Sequence, residues 1–153
     1  MRGEDRGTSG AAGRVDAYTD LKVWQAAMAL ADAIYDCTAR FPKHETFGLA
    51  SQLRRAAVSI PSNIAEGWGR GQTKEYLQFL RYSRGSLYEV ETQIRIAGRR
   101  EYVDAEEVRQ ILRDTDEISR MLAGLSKSLR RPKALVPHSS PLAPPWPLPP
   151  PSG

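Results

Sequence analysis

Apolar residues recur in strict steps of four and three along two long segments of this chain. The first segment opens at Thr73, a candidate N-cap, and runs to about Arg99. Its repeated positions are Tyr76, Leu80, Ser83, Leu87, Val90, Ile94 and Ala97. The second segment follows Asp104, which forms a capping-box pattern with Glu107. Its repeated positions are Val108, Ile111, Thr115, Ile118, Leu122, Leu125 and Leu129. Because this spacing gathers the apolar side chains on one helical face, both segments are predicted to be helices with a buried seam.

Two shorter helices are predicted before them. One runs from about Thr19 to Arg40, where Thr19 or Asp20 can cap it and the Phe41-Pro42 pair ends it. Its expected buried face is Leu21, Trp24, Met28, Ala31, Tyr35 and Thr38, widened by Leu30 and Ile34. The other runs from about Glu45 to Gly67, with a buried face of Leu49, Leu53, Ala56, Ile60 and Ile64. Glycines at 67, 69 and 71 are expected to break it.

Four helices with short connections predict an all-α fold, an antiparallel up-down-up-down four-helix bundle. Proline content sets the domain boundaries, since nine of the 11 prolines lie between residues 132 and 151. We predict a disordered segment at 1–17, the bundle domain at 18–130 and a disordered proline-rich tail at 131–153. The tail contains Pro141-x-x-Pro144, a pattern that aromatic grooves can bind, although a solvated tail is the preferred interpretation.

Several classes of protein are disfavoured by composition. The chain has no run of about 18 apolar residues, and residues 1–17 contain no apolar core of a secretory signal. One cysteine excludes an internal disulfide framework, so a cytoplasmic location is expected. His44 and His138 form no Glu-x-x-His pair, and Cys37 has no histidine at helical spacing. We therefore predict no catalytic residue, metal, cofactor, small-molecule substrate or membrane partner.

Positive charge is concentrated in the middle of the chain. Residues 40–100 hold 11 basic and 5 acidic side chains, a net charge of +6, whereas 18–39 and 101–130 each carry −2. With ~100° per residue, one stripe about 60° wide on the third helix is basic and lies well away from the apolar seam. Its members are Arg81, Arg84, Tyr88, Arg95 and Arg99.

Arginine and an aromatic ring together can hold phosphates and stack a base, so this arginine stripe predicts a face for RNA or another polyanion. A solvated arginine face with pairs such as Glu91–Arg95 is the open alternative. Leu77, Phe79 and Tyr82 also make the third helix apolar beyond its seam, which indicates a subunit interface.

The glycine-rich turn before the third helix is a second candidate anion site. It runs from Gly67 to Lys74 and carries Arg70. It fits neither the Walker pattern nor the dinucleotide-binding pattern, since Thr73 precedes Lys74 and a helix precedes the turn. A weak phosphate site at a helix N-terminus and a flexible turn both remain open.

Pro61 lies inside the second predicted helix and is interpreted as architectural. It removes one helical hydrogen bond, so the helix either kinks there or ends and restarts. Ser59, Ser62 and Asn63 can satisfy the freed backbone groups, and an Asn63 facing the core would fix register.

Three stretches carry a family resemblance. They are the run from Leu53 to Gly67 (LRRAAVSIPSNIAEG), the run from Asp20 to Gln25 (DLKVWQ), and the run from Glu75 to Leu80 with Arg84-Gly85-Ser86-Leu87. Together they closely resemble the bacterial four-helix bundle proteins encoded in 23S rRNA intervening sequences, over about residues 20–129. That family is also similar to the accessory variability determinant protein of diversity-generating retroelements.

The resemblance implies a ring-like homopentamer of four-helix subunits without enzymatic activity. For the retroelement branch it implies a basic surface that binds structured RNA and a reverse transcriptase. Pro61, Asn63 and Gly67 match the motif as structural positions, and Arg54 and Arg55 match its basic pair. We therefore predict a non-enzymatic, oligomeric nucleic-acid-binding accessory protein. The alternative is an oligomeric protein-interaction scaffold with no nucleic-acid role.

Overall fold

The computed structural model describes residues 13–132, and their regular structure is helical throughout, with no strand. The four α-helices are α1 (Lys22–Thr38), α2 (Leu49–Gly69), α3 (Thr73–Arg99) and α4 (Ala105–Arg130). Short 3₁₀ turns at Tyr18–Asp20 and Lys43–Glu45 precede α1 and α2. The predicted all-helical, four-helix fold is confirmed. The proposed tail at 131–153 lies almost wholly outside the described residues, and the domain boundaries stay predictions.

The seams of α3 and α4 form one side of the hydrophobic core. Every predicted seam position of α3, from Tyr76 to Ala97, is buried. On α4, the central positions from Ile111 to Leu122 are buried, while Leu125 and Leu129 pack partly buried against the same core. Heptad spacing therefore identified the inward face of both long helices, because each carries one unbroken seam of apolar residues at steps of three and four.

The inward face of α1 matches the predicted one in part, since Leu21, Leu30, Ala31, Ile34 and Thr38 are buried as predicted. Val23, Leu30 and Ile34 are buried, whereas Met28 is 40% exposed and Tyr35 is 46% exposed. At ~100° per residue, Met28 and Tyr35 lie about 120–140° around the helix from Val23. The expectation that these two side chains belong to the core is wrong, because α1 carries two apolar stripes and only one of them faces the bundle.

Only one of the three predicted N-caps is correct. The Asp20 carboxylate accepts hydrogen bonds from the backbone N–H groups of Asp16 and Ala17, both at 3.0 Å, so it stabilises the preceding turn. Neither Asp20 nor Thr19 caps α1, which begins after Leu21. Thr73 is already inside α3. Asp104 is confirmed, since its Oδ1 accepts from the Glu107 backbone N–H at 2.9 Å.

Helix α2 continues through Pro61 without a break. Two side chains that follow the proline bond to carbonyls of the preceding turn. Ser62 Oγ donates to the Val58 carbonyl at 2.8 Å, and Asn63 Nδ2 donates to the Ser59 carbonyl at 2.8 Å. Pro61 has no N–H to donate to the Ala57 carbonyl, and these two bonds bring side-chain donors to the next two carbonyls of the same turn.

Gly67 lies inside α2 and lets α3 approach closely. A Cβ added there would lie 2.7 Å from Phe79 Cβ and 2.9 Å from Tyr76 Cδ2, which is too short for packed carbon atoms. The prediction that Gly67 breaks the helix is therefore wrong. The helix ends after Gly69, and the turn is made at Gly71, where φ is 73° and only glycine is unstrained.

Polar side chains fix the contact between α2 and α3. Ser83 is fully buried and donates to the Ile60 carbonyl at 2.9 Å. Ser59 Oγ and Ser86 Oγ share a hydrogen bond at 2.8 Å. Because buried hydroxyls need partners, these bonds favour one register of α2 on α3.

Candidate nucleic-acid interface

The arginine stripe lies on the surface of α3. Arg81, Arg84, Tyr88, Arg95 and Arg99 are all exposed. The stripe extends over 19 residues, from Arg81 to Arg99, a rise of about 27 Å at ~1.5 Å per residue. The helix period thus gives a row of cationic side chains along most of α3, with the Tyr88 ring among them.

A cleft between α3 and α4 borders the beginning of the stripe. Arg81 and Arg84 line it from α3, and Ser126 and Arg130 line it from α4. Its volume is about 110 Å³. Three arginines therefore line this cleft, and guanidinium groups are suited to bind phosphate with paired hydrogen bonds.

A wider groove borders the end of the stripe. Arg95 and Arg99 line it from α3, with Gly98 between them, and Val108 and Arg109 line it from α4. This groove has a volume of about 450 Å³. Gly98 lets the start of α4 lie close, since an added Cβ there would be 2.9 Å from Val108 Cγ2.

The arginines of the stripe differ in how they are paired. Arg95 lies 4.0 Å from the Glu91 carboxylate and Arg81 donates to Gln78 at 3.2 Å. Arg84 and Arg99 make no ion pair with any of residues 13–132. The expected Glu91–Arg95 pair exists, but it neutralises only one member, so most of the positive charge is available to a ligand.

On the α4 side, Glu106 accepts hydrogen bonds from Arg109 at 2.9 Å and Arg113 at 3.1 Å. These hydrogen bonds lower the pKa of the Glu106 carboxyl, which holds it ionised. Arg109 is therefore partly neutralised, whereas Arg130 makes no ion pair among the described residues.

Arg109 and Arg130 were missed by the sequence analysis. The period of α3 shows which of its residues share a face, but it does not show which residues of α4 lie beside that face. The signal in the sequence was their position beside the α4 seam, since Arg109 follows Val108 and Arg130 follows Leu129.

Two predicted binding residues, Arg54 and Arg55, lie on another side of the molecule. Both line a cavity between α1 and α2 rather than the clefts at α3 and α4. Arg54 Nε donates to Thr38 Oγ1 at 2.8 Å, and its guanidinium lies 4.7 Å from the centre of the Tyr35 ring. Arg54 thereby holds the end of α1 against α2, and the structure does not bring this pair into one site with the stripe.

The predicted anion site at Arg70 and Lys74 is only partly open. Arg70 forms an ion pair with Glu66 at 2.8 Å, and its guanidinium stacks 4.9 Å from the centre of the Phe79 ring. Lys74 is exposed in the first turn of α3. Arg70 is thus held by the protein itself, and Lys74 is the freer of the two cations.

Cys37 is a free, buried cysteine on α1. Burial, followed by the nearby Glu107 charge, raises the pKa of the Cys37 thiol to about 11, so the thiol stays protonated at neutral pH. Residues 13–132 contain no cluster of three His, Cys, Asp or Glu side chains arranged to hold a metal ion. None of their helices is long and apolar enough to span a bilayer.

Comparison with known proteins agrees with this architecture. A family model described as 23S rRNA-intervening sequence protein matches residues 19–124, more than half of the chain. One similar solved structure is a protein with unknown function from the S23 ribosomal protein family of Bacteroides thetaiotaomicron. It shares 23% sequence identity and a TM-score of 0.62, over 69% of this chain and 98% of that chain, which shows the fold.

No curated protein matches the chain. The matched family region contains all of α1, α2 and α3, most of α4, and the Pro61 motif that the sequence analysis singled out. The chain therefore belongs to the 23S rRNA-intervening sequence protein family.

Proposed function

We propose that this protein is a non-enzymatic, cytoplasmic accessory protein that binds structured RNA through the arginine stripe of α3. The observation that carries the proposal is the pair Arg84 and Arg99, which are exposed and have no ion pair among the described residues. Membership of a family named for a ribosomal RNA intervening sequence supports an RNA-related role.

The geometry suits a phosphate backbone better than a single small anion. The stripe is extended, and arginines of α4 widen it at both ends, with Arg130 near Arg84 and Arg109 near Arg99. Guanidinium groups bind phosphate with paired hydrogen bonds, and the exposed Tyr88 ring offers a surface on which an unpaired base can stack. The ligand class proposed is RNA with a folded backbone and accessible loops.

Assembly is part of the same proposal. We infer an antiparallel, up-down-up-down order of the four helices and a homopentameric ring, in which the α3 face around Tyr82 contacts a neighbouring subunit. Tyr82 is 50% exposed and stacks edge-on against Phe79 at 5.4 Å. A ring repeats the arginine stripe five times and so provides avidity from weak individual contacts. Within such an assembly the partner would be a ribonucleoprotein, with a reverse transcriptase as one candidate.

Charge reversal tests the RNA proposal. Arg84→Glu with Arg95→Glu should weaken the binding of a structured RNA hairpin by at least about tenfold at low salt, because two phosphate contacts become repulsive. The control is Lys22→Glu with Lys43→Glu, which changes the net charge equally at exposed positions outside α3. The control should bind within about threefold of the unmodified chain.

Equal binding by both double variants would contradict the RNA proposal. An RNA affinity too weak to measure in the unmodified chain would also contradict it and favour the alternative, a protein-interaction scaffold. Circular dichroism of each variant checks that the helices are retained.

Light scattering tests the assembly. A pentamer has about five times the 17.0 kDa mass of the chain. Tyr82→Asp should reduce that mass, because it places a charge in an apolar contact. Tyr88→Asp, at a residue of nearly equal exposure, should leave it unchanged. A monomer mass at micromolar concentration in the unmodified chain would contradict the ring.

A further inference from the structure

An exposed apolar groove lies between α1 and α2. It consists of two adjoining cavities of about 400 and 610 Å³ that share Tyr35 and Val58. Several large apolar side chains are exposed along it, and Phe47 is 96% exposed. The residues that give it this character are Tyr18, Trp24, Met28, Tyr35, Phe47 and Val58. A surface of this kind normally has an occupant.

The chain contains a segment whose chemistry fits an aromatic groove. Residues 141–151 read PLAPPWPLPPP, with seven prolines and Trp146 among 11 residues. Proline fixes φ near −65°, so such a segment favours the polyproline II conformation and loses little entropy on binding. Aromatic-lined grooves are the usual partners of polyproline II segments.

The segment also begins on the correct side of the molecule. Arg40, which follows α1, pairs with Glu107 in the first turn of α4. The start of α4 thus lies near the end of α1. Arg130, at the other end of α4, lines a cleft with Leu80 near the start of α3, and the start of α3 packs on Gly67 near the end of α2. Ala65 of α2 lines the groove together with Trp24, so the end of α4 lies toward the end of the bundle where the groove opens.

The intervening chain is long enough. Residues 131–140 can extend over about 33 Å, whereas neighbouring helix axes lie about 8–10 Å apart. A polyproline II segment of 11 residues is about 34 Å long, enough to follow α1 from Trp24 past Tyr35, a rise of about 16 Å.

The charges of the tail and of the groove are compatible with a tail that enters the groove near Trp24 and runs toward Arg54 and Arg55. The first basic residues after α4 are Arg131 and Lys133, and residues 131–153 contain no acidic side chain. Asp32 lines the cavity nearer Trp24, and residues 18–39 carry a net charge of −2. Further along, where Arg54 and Arg55 line the second cavity, the approaching segment 139–153 has no charged side chain to be repelled.

We propose that residues 141–151 dock as a polyproline II strand in the α1–α2 groove of the same chain. The docked segment covers the second apolar stripe of α1 and packs Trp146 against aromatic side chains. This contact is separate from the arginine stripe and does not depend on RNA binding.

Hydroxyl-radical footprinting of the full chain tests the proposal. The variant carries Pro144→Ser, Pro145→Ser, Pro147→Ser and Trp146→Ala. With an effective concentration of about 1 mM and an intrinsic Kd of about 0.3 mM, the groove is open about a quarter of the time. Oxidation of Met28 and Tyr35 should therefore rise about fourfold in the variant. Tyr82 and Tyr88, which have exposures similar to that of Tyr35, serve as internal controls and should not change.

A second variant tests the groove from the other side. Val58→Asp should raise the oxidation of Trp146, whereas Ile96→Asp, at a position of nearly equal exposure on α3, should not. Unchanged oxidation of Met28 and Tyr35 in the tail variant would overturn the proposal. Protection that disappears on dilution would also overturn it, because the groove would then be covered by a second copy.

Discussion

At Gly67 helices α2 and α3 approach closely, and an added Cβ there would lie 2.7 Å from Phe79 Cβ. The space a methyl group would need is occupied by Tyr76 and Phe79 of α3. Its neighbour in the same helix, Gly69, has open space around the Cβ position. The two glycines therefore have different roles, although they are two residues apart and look alike in the sequence.

Substitution of each glycine by alanine should separate these roles. Gly67→Ala should lower the free energy of unfolding by about 1–3 kcal/mol, because the methyl group forces α2 and α3 apart. Gly69→Ala should raise it by up to about 1 kcal/mol, since alanine is the better helix former at an open position. Urea denaturation of both variants measures the difference. A Gly67→Ala protein as stable as the unmodified chain would contradict the close-approach interpretation.

Residue-level roles were only partly predictable from the sequence. Pro61 and Asn63 were interpreted as architectural, and in the structure α2 continues through Pro61 while Asn63 Nδ2 donates to the Ser59 carbonyl. Gly67 was wrongly predicted to break the helix, since glycine serves both chain reversal and close packing, and only the neighbouring helix shows which applies. Arg54 was assigned to nucleic-acid binding, but the structure shows it holding Thr38 and the Tyr35 ring.

At the scale of the elements, the end of α3 shows how this chain makes a tight turn without glycine. The backbone N–H of Tyr102 donates to the Ala97 carbonyl at 2.9 Å, and that of Glu101 donates to the Gly98 carbonyl at 3.0 Å. This is the Schellman arrangement, in which the residue after the C-cap adopts left-handed geometry. Here that residue is Glu101, with φ of 62°.

Glycine at this position should therefore stabilise the protein. Glu101→Gly is expected to raise the free energy of unfolding by about 1 kcal/mol, because glycine adopts positive φ without steric strain. Glu101→Val should lower it, since a β-branched residue is the least suited to that conformation. Thermal denaturation of the two variants gives the comparison, and a Glu101→Gly protein that melts earlier would refute the argument.

The predictability of each helix depended on how many apolar stripes it carries. Helices α3 and α4 have one seam each, so their heptad spacing gave the buried face directly. Helix α1 has two stripes, and periodicity cannot show whether Val23 or Met28 faces inward. The packing of α1 against α2 and α4 decides which of its two stripes is buried. The sequence of α1 alone does not contain that information.

At the scale of the whole molecule, two sides of the helical bundle have different surface chemistry. The α3–α4 side is cationic along the arginine stripe, whereas the α1–α2 side is apolar around Tyr35 and Val58. The net charge of +4 would not reveal this division, because acidic residues elsewhere offset the stripe. The sequence did predict the stripe, since its members share one helix, but it did not predict Arg109 and Arg130, which another helix supplies.

The salt dependence of RNA binding tests the central claim most directly. Each phosphate neutralised in the single-stranded loop of an RNA hairpin contributes about −0.7 to the slope of log association constant against log salt concentration. Four arginines engaged on one chain predict a slope of about −2.8, and Arg84→Glu with Arg95→Glu should reduce its magnitude by about 1.4. A slope near zero, or one that is unchanged in the double variant, would contradict the account of α3 as the nucleic-acid face.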